Sequence, residues 1–419
     1  MASREATHVR TVARRTRGAN GHVARWRPPT PAVPVRRERV AYLDNLKVLL
    51  VAAIIAAHSV LGYSGFKGAW PYQTVREVRL AGISQALLAV VVLPGVMFAM
   101  GLFFLISGMV TPGSVARKGP RRFARDRIAR LGIPLAIWTL GIWTALLFAV
   151  HSAAGQHPSF WDWLLHRHPF LEPGPMWFVE VLLIYSLGYA AWRQWRTDHP
   201  PPFATDSRSV ATGRAPLQGR TLVVLAAGIS LATILVRPVF PSLSEQIGQL
   251  ELWQWPQYLG MFGLGIVAAQ RGWLDPVPER IWRRCGQAVL LALAALVLVF
   301  AATALAGYNT NVFERRLHWA PTLLAAIEGP MVVGACVWLL GAAQRHLSRP
   351  PGVRGRALAR SAFAAFILQG ATIIGLEIAL RPLGVPAEVK ALAVACAAVP
   401  GSFALAWVLV SRTPVGRVL

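Results

Sequence analysis

Long apolar runs alternate with short polar or basic stretches along most of the chain. Ten of these runs approach or exceed the roughly 20 residues that a helix needs to span a bilayer. Each run is continuous, whereas a spanning β-barrel requires short segments of alternating polarity. The pattern therefore predicts an all-α integral membrane protein, a bundle of about ten transmembrane helices. The predicted spans are 43–62, 82–111, 132–150, 174–192, 220–237, 252–270, 286–306, 320–342, 359–380 and 388–410.

Two stretches depart from this regular alternation. The second predicted span is unusually long, and Pro94 followed by Gly95 predicts a tilt or a break within it. The stretch between Arg193 and Arg220 is polar and contains three consecutive prolines. That composition predicts an irregular loop with no spanning structure.

The composition agrees with a membrane protein and excludes the soluble classes. Of the 419 residues, 55% are hydrophobic and 15% are charged, whereas soluble domains carry about 25% charged residues. The mean hydropathy of +0.46 excludes both a soluble globular enzyme and an intrinsically disordered chain. The three cysteines, Cys285, Cys336 and Cys396, are scattered. Their spacing predicts neither a metal site nor a disulfide framework.

The distribution of positive charge predicts the orientation in the membrane. A formal net charge of +25 would suggest nucleic-acid binding in a soluble chain. Here 33 of the 43 basic residues fall on one side of the predicted spans and seven on the other. Basic residues are enriched on the cytoplasmic side, so we expect a multi-pass protein of the cell membrane with both termini cytoplasmic and no nucleic-acid partner. The expected parts are a disordered basic tail over 1–40, a transmembrane domain over 41–412 and a short tail over 413–419.

Several of the sixteen tryptophans fall near predicted span ends. Amphipathic rings at this depth are typical of an interfacial aromatic belt. We therefore assign no chemistry to them. They are Trp70, Trp161, Trp163, Trp253, Trp255, Trp273 and Trp319.

The first predicted span contains two ionisable residues, Lys47 and His58. Eleven residues of α-helix turn through about 1100°, roughly 20° past three full turns, and rise about 16 Å. Both side chains therefore lie on one helix face, which could hold a long substrate with an anionic inner end and a reactive outer end. The alternative is that Lys47 pairs with Asp44 and reaches for the interface, while His58 contacts a neighbouring helix.

Three carboxylates fall in the outer halves of predicted spans, and ionisable groups there are functional candidates. A carboxylate that holds an imidazole is a common way to make a histidine a base. Glu180 is the strongest candidate, either to orient His58 or to bind a substrate. Glu328 could instead bond a neighbouring helix, and Glu377 could face interfacial water. The sequence assigns no role to Glu328, Glu377 or the mid-span Gln369.

A basic segment follows the second predicted span and is expected to be a loop. If it were helical, Arg122 and Arg125 would lie one turn apart, and so would Arg127 and Arg130. Clustered guanidinium groups bind phosphates through paired hydrogen bonds. The alternative is ordinary cytoplasmic positive charge in contact with lipid headgroups.

Four short motifs follow one another from the first predicted span to the fourth. They are Tyr42-Leu43-Asp44-Asn45-Leu46-Lys47 followed by His58, Phe103-Phe104-Leu105-Ile106-Ser107-Gly108, Arg127-x-x-Arg130-Leu131 with Pro134, and Trp177-Phe178-Val179-Glu180. In this order they resemble the signatures of the membrane acyltransferase-3 family, the integral-membrane O-acyltransferases that modify sugars, glycans and some natural products. The resemblance extends from about Arg39 to the C-terminus.

The resemblance implies a bundle of about ten helices that moves an acyl group, often acetyl or succinyl, from acyl-CoA to a hydroxyl acceptor. It implies that His58 is the essential catalytic residue, that Lys47 is its partner, and that Arg127 and Arg130 assist with the donor. Acyl-CoA would be a donor substrate, with no bound cofactor and no metal. The chain departs from the family pattern at Lys47, where arginine is frequent, and at Gln369, where many members carry a histidine.

The resulting hypothesis is that acyl-CoA docks its phosphates on the segment from Arg122 to Arg130. Its pantetheine arm passes Lys47, and His58 removes the proton of the acceptor hydroxyl. Two other functions remain open. A multi-pass transporter of a lipid-linked or glycan substrate would use the same polar residues as a proton relay, and a structural or sensory membrane protein would use none of them chemically.

Overall fold

The computed structural model describes residues 38–66, 70–156, 159–167, 171–198, 216–241, 250–308, 312–313, 315–413 and 416. The predicted tails over 1–40 and 413–419 lie almost wholly outside these residues. Most of the loop predicted between Arg193 and Arg220 lies outside them as well.

The described part of the chain is built from helices and contains no strand. Within these described ranges, nine helices are long and apolar enough to cross a membrane, which confirms the prediction of a multi-pass all-α protein. The remaining predicted span, 252–270, forms the shorter helix α7. The helices are α1 Glu38–Leu61, α2 Gly82–Lys118, α3 Pro120–Ala153, α4 Phe160–His166, α5 Trp177–Asp198, α6 Gly219–Val236, α7 Trp255–Arg271, α8 Glu279–Leu305, α9 Trp319–His346, α10 Val353–Leu380 and α11 Ala387–Arg412.

The outer surface of the bundle is apolar, as helix α8 shows. Leu290, Leu291, Val297 and Leu298 on α8 are all well exposed. A soluble protein rarely leaves such an apolar surface in contact with water. Hydrocarbon solvates it without cost, so the periphery of the bundle is as apolar as its interior.

The expected break in the second span and the expected loop after it are wrong, while the expected tilt of the second span stays a prediction. α2 is one α-helix from Gly82 to Lys118 with Pro94 inside it, so the chain does not break there. Lipid offers no partner to freed backbone groups, which favours an uninterrupted helix. The arginine segment is the start of α3 rather than a loop. Gly119, with φ +78°, ends α2, and Pro120 begins α3; a proline suits the first turn of a helix because its missing N–H has no partner there.

The helix α1 packs against both α10 and α11, and α2 packs against α7 and α9. α9 also contacts α6 and α8, and α3 contacts α5. Asn45, from the first sequence motif, joins α1 to the end of α9, because its Nδ2 donates to the carbonyls of Leu347 and Arg349 at 2.8 and 3.2 Å. We call the end of the bundle where α1 begins the basic end, and the opposite end, where α1 finishes, the His58 end.

The backbones of α2 and α7 touch at a pair of glycines. A Cβ atom on Gly108 would overlap the Phe262 carbonyl, and one on Gly265 would overlap the Leu105 carbonyl. Small residues allow such close approach between membrane helices. The glycine of the second sequence motif therefore has a packing role.

We expect Gly265→Ala to lower the stability of the protein by about 1–3 kcal/mol, because the added methyl group must separate α2 from α7. The matched control is Gly263→Ala, since no atom lies within 4 Å of a Cβ built there. Thermal unfolding of both variants in detergent checks the prediction. Equal midpoints for the two variants would contradict this account of the α2–α7 contact.

Candidate functional site

His58 lies in the last turn of α1 and faces α10 inside the bundle. Its Nδ1 is 3.0 Å from Oε1 of Gln369, a side chain with no solvent exposure. An amide oxygen only accepts hydrogen bonds, so this contact places the proton of a neutral imidazole on Nδ1. Nε2 then carries the lone pair, and the described residues provide it with no hydrogen-bond partner. The geometry leaves a basic nitrogen available for a substrate.

Trp70 covers one side of the imidazole. The two ring centroids are 5.0 Å apart and the planes are inclined by 23°. The indole Nε1 donates to Oε2 of Glu377 at 3.0 Å. The expectation of a lipid-facing belt is wrong for Trp253 and Trp273, which are buried, and for Trp70, which is only 4% exposed. No local pattern distinguishes Trp70 from the tryptophans that do lie at span ends.

Glu377 does not face interfacial water, because it is completely buried. Its carboxylate accepts from Trp70 and fits against the backbone of Gly62, where any Cβ atom would overlap Oε1. Gln369 and Glu377 lie two helical turns apart on α10, on the side that faces α1. This spacing is the signal in the sequence that could have grouped them with His58.

Two further indoles support Trp70 from α3. Trp143 meets Trp70 edge to face at 6.0 Å, and Trp138 stacks on Trp143 at 5.8 Å. Residues five apart in an α-helix point about 140° away from each other. The turn Trp138–Trp143 is instead a wider π-helical turn, which closes between residues five apart. The π turn therefore brings both indoles to one side of α3.

The structure does not bring Lys47 and His58 together. Lys47 Nζ lies 3.8 Å from Asp44 Oδ1, the pairing of the alternative interpretation. Val51 and Ile54 occupy the same stripe of α1 between Lys47 and His58, and both are buried. The stripe is therefore packed against protein in this conformation and is not an open groove.

Glu180 forms no hydrogen bond with His58 in the described structure, and the hydrogen-bond partner of the imidazole is Gln369 instead. The Glu180 carboxylate has no hydrogen-bond or ion-pair partner in the described ranges. It is half-buried on α5, one turn from the exposed Ile184. Phe178 of the same motif packs against Phe104 at 4.9 Å. Substrate binding by Glu180 stays a prediction.

Glu328 forms a buried ion pair with Arg237, which follows α6. Both side chains are about 95% buried, and the guanidinium carbon of Arg237 lies 5.1 Å from the centre of the Trp253 ring. This arrangement agrees with the interpretation that Glu328 bonds a neighbouring helix. A pair of this kind gives each buried charge a counter-charge, which lipid and apolar side chains cannot provide.

The four arginines of α3 lie at the basic end. Arg122, Arg125 and Arg130 are exposed, and Arg127 lies partly exposed over the Phe123 ring at 5.0 Å. None of the four forms a salt bridge within the part of the chain that the structure describes. Their guanidinium groups are thus free to meet an anion. Arg130 belongs to the π-helical turn Ile128–Gly132, which shifts it around the helix relative to α-helical spacing.

A second polar cluster lies beside the buried site at the His58 end. The Tyr72 hydroxyl donates to Glu77 Oε2 at 2.6 Å, and the buried Lys390 ammonium contacts Oε1 of the same carboxylate. Lys390 also donates to the Arg381 carbonyl at 3.0 Å, and Arg381 Nη1 lies 3.7 Å from Glu77 Oε2. Burial raises the pKa of Glu77, but the hydrogen bonds from Lys390 and Tyr72 outweigh burial and hold this pKa below its ordinary value.

Comparison with known proteins identifies one family. The model of a family described as an acyltransferase domain matches residues 40–411 of the chain. Neither the curated proteins nor the solved structures gave a match. The matched range includes His58, its partners on α10 and the arginines of α3.

We expect Glu77→Gln to destabilise the protein at neutral pH by about 3 kcal/mol, because the buried Lys390 loses its counter-charge. The folded pKa of Glu77 is lowered, so its stabilisation is complete above the ordinary glutamate pKa and is lost as the pH falls through the lowered value. As the pH falls from about 7 to 3, the thermal unfolding midpoint of Glu77→Gln should therefore decrease less than that of the wild type.

The control is Glu279→Gln, whose carboxylate is about half exposed and pairs with Arg283 and Arg345, each pair contributing little to stability because water screens it. If Glu77→Gln and the wild type lost stability in parallel as the pH fell, the role assigned to the Glu77–Lys390 pair would be contradicted.

Proposed function

This chain belongs to the acyltransferase-3 family, and we propose that it moves an acetyl or succinyl group from acyl-CoA to a hydroxyl of a carbohydrate, glycan or natural product. Its family and its membrane helices make it a multi-pass membrane acyltransferase that transfers groups other than amino-acyl groups. The donor, the acyl group and the acceptor are the proposal. The observation that carries it is the His58 imidazole, held by Gln369 with Nε2 free.

In the proposed reaction, Nε2 of His58 removes the proton of the acceptor hydroxyl as the hydroxyl oxygen attacks the thioester carbonyl. The C–S bond then breaks, and the imidazolium returns its proton to the departing CoA thiolate. The products are an ester and free CoA, and His58 ends as it began. A positioned general base of this kind contributes about 10²–10⁴-fold to a rate.

Gln369 is a positioning residue in this mechanism. Its amide oxygen accepts the Nδ1–H bond and so maintains the tautomer in which Nε2 is basic. An amide does not take up the proton, so Gln369 acts on the orientation of His58 and not as a second base. Trp70 restricts the remaining rotation of the imidazole by stacking on it.

The arginines at the basic end supply the proposed donor site. Their exposed guanidinium groups suit the phosphates of CoA, and the long pantetheine arm suits the rise of about 16 Å between Lys47 and His58. Val51 and Ile54 fill the stripe between these two residues. We infer that Val51, Ile54 and the side chains packed against them move when the donor binds.

The charge asymmetry of the loops supports an orientation with both termini cytoplasmic and a location in the cell membrane. In that orientation the arginines of α3 meet cytoplasmic acyl-CoA. The His58 end then faces the other side, and the acceptor approaches from there.

A transporter with a proton relay is the alternative function. The groups around His58 argue against it, because neither the Gln369 amide nor the Trp70 indole exchanges protons readily at neutral pH. A structural or sensory membrane protein is a third class. Consumption of acyl-CoA by the purified protein distinguishes the proposed enzyme from both.

We expect His58→Ala to reduce acyl transfer in membranes at least about 100-fold, because the general base is lost. The matched control is His151→Ala. His151 lies near the end of α3, and its Nδ1 is 2.8 Å from the Leu147 carbonyl. Gln369→Leu should lower kcat by a smaller factor and leave KM for acyl-CoA unchanged. Full activity of His58→Ala at normal expression would remove His58 from the mechanism.

We expect the double variant Arg127→Ala/Arg130→Ala to raise KM for acyl-CoA roughly tenfold or more, since a hydrogen bond to a charged group contributes about 1.5–3 kcal/mol. The control is Arg121→Ala, an exposed arginine in the first turn of the same helix. Initial rates over a range of acyl-CoA concentrations give both constants. An unchanged KM in the double variant would show that the donor does not bind at this segment.

A further inference from the structure

An open pocket of about 530 Å³ lies at the His58 end of the bundle. It is formed where the α1–α2 connection, the end of α3 and the turn between α10 and α11 meet. Ile378 of this pocket directly follows Glu377, the buried carboxylate that holds Trp70 against His58. The pocket is thus adjacent to the candidate active site. Its lining residues are Glu77, Ala153, Ile378, Arg381 and Pro382.

Arg381 is the basic residue that lines this pocket, and other basic residues lie on one of the chain segments that meet there. Arg76 and Arg79 lie on the α1–α2 connection, and Arg381 follows α10. These three belong to the seven basic residues on the side of the membrane where positive charge is normally scarce. The usual preference of basic residues for the cytoplasmic side does not explain these three arginines, whereas an anionic ligand would.

The cations of the cluster exceed its anions. The Glu77 carboxylate lies between two cations, Lys390 and Arg381. The buried Lys390 contacts Oε1 of this carboxylate. Arg381 directs Nη1 at the Val75 carbonyl and lies 3.7 Å from Glu77 Oε2. About a quarter of the Arg381 side chain remains exposed, and this residue lines the pocket. A net positive charge therefore borders the open space.

We propose that this pocket binds an anionic group, carboxylate or phosphate, on a hydrophilic hydroxyl-bearing acceptor, and that Arg381 recognises that group. The inference rests on the proposed function, because it names the class of acceptor for the same site. A guanidinium group presents planar, paired donors to carboxylates and phosphates. Binding of the anion here holds the acceptor at the His58 end of the bundle.

Binding of three sugars to the purified full-length protein in detergent tests the proposal without requiring turnover. The probes are glucose, glucuronate and glucose 6-phosphate, and the readout is the ligand-induced shift in thermal unfolding over a concentration series. We expect one or both anionic sugars to bind at least about tenfold more tightly than glucose, with an affinity that falls as salt is added. Comparison of glucuronate with the phosphate distinguishes the two anions.

Arg381→Gln should abolish the preference for the anionic sugars, and Arg381→Lys should retain part of it because the charge is kept. The control is Arg315→Gln, an exposed arginine in the connection between α8 and α9 at the same end of the bundle. The unfolding midpoint of each variant without ligand shows whether it is folded. Equal binding of all three sugars by the wild type, or an unchanged preference in Arg381→Gln, would overturn the proposal.

Acyl-transfer assays with the same sugars separate this inference from the proposed function. If neutral sugars were acylated while anionic ones were neither bound nor acylated preferentially, the pocket assignment would fail and the enzyme assignment would stand. If Arg381 governed binding of the anionic sugars but no acyl-CoA were consumed with any acceptor, the pocket assignment would stand and the enzyme assignment would fail.

Discussion

A polar side chain within the hydrocarbon layer must find its partner in the protein, because lipid offers none. The candidate active site follows from this constraint. His58 is held by the Gln369 amide, Trp70 lies against its ring, and the indole of Trp70 is in turn held by Glu377. Gln369 and Glu377 each fix a neighbour through one polar atom, Trp70 stacks on the imidazole, and Nε2 of His58 has no hydrogen-bond partner among the described residues.

The same constraint explains why other polar groups within the bundle have structural roles. The Arg237–Glu328 pair joins α9 to the end of α6, and Asn45 joins α1 to the end of α9. Glycines act in a different way, since Gly108 and Gly265 let two backbones touch and Gly62 leaves room for a carboxylate. The family's motifs therefore combine residues that shape the bundle with residues available for catalysis.

The mechanism that we propose joins two ends of a bundle that differ in charge and in polarity. The basic end carries exposed guanidinium groups on α3, and the His58 end carries a buried imidazole next to a positively charged pocket. The packed side chains of Val51 and Ile54 separate the two. In the reaction that we propose, the donor arm displaces these side chains to reach His58.

Much of the architecture could be predicted from the sequence, because a membrane helix is encoded by local composition. The apolar runs, the basic loops, the motif that carries His58 and the short-range pair of Lys47 with Asp44 all depend on residues close together in the chain. The helical start of α3 was also readable at Gly119 and Pro120, although we predicted a loop there. The partners of His58 were not readable, because Gln369 lies more than 300 residues away and Trp70 resembles every other tryptophan at a span end. Only the packing of α1 against α10, and the π turn that places Trp143, decided which buried polar groups meet, since helix contacts depend on shapes that composition does not specify.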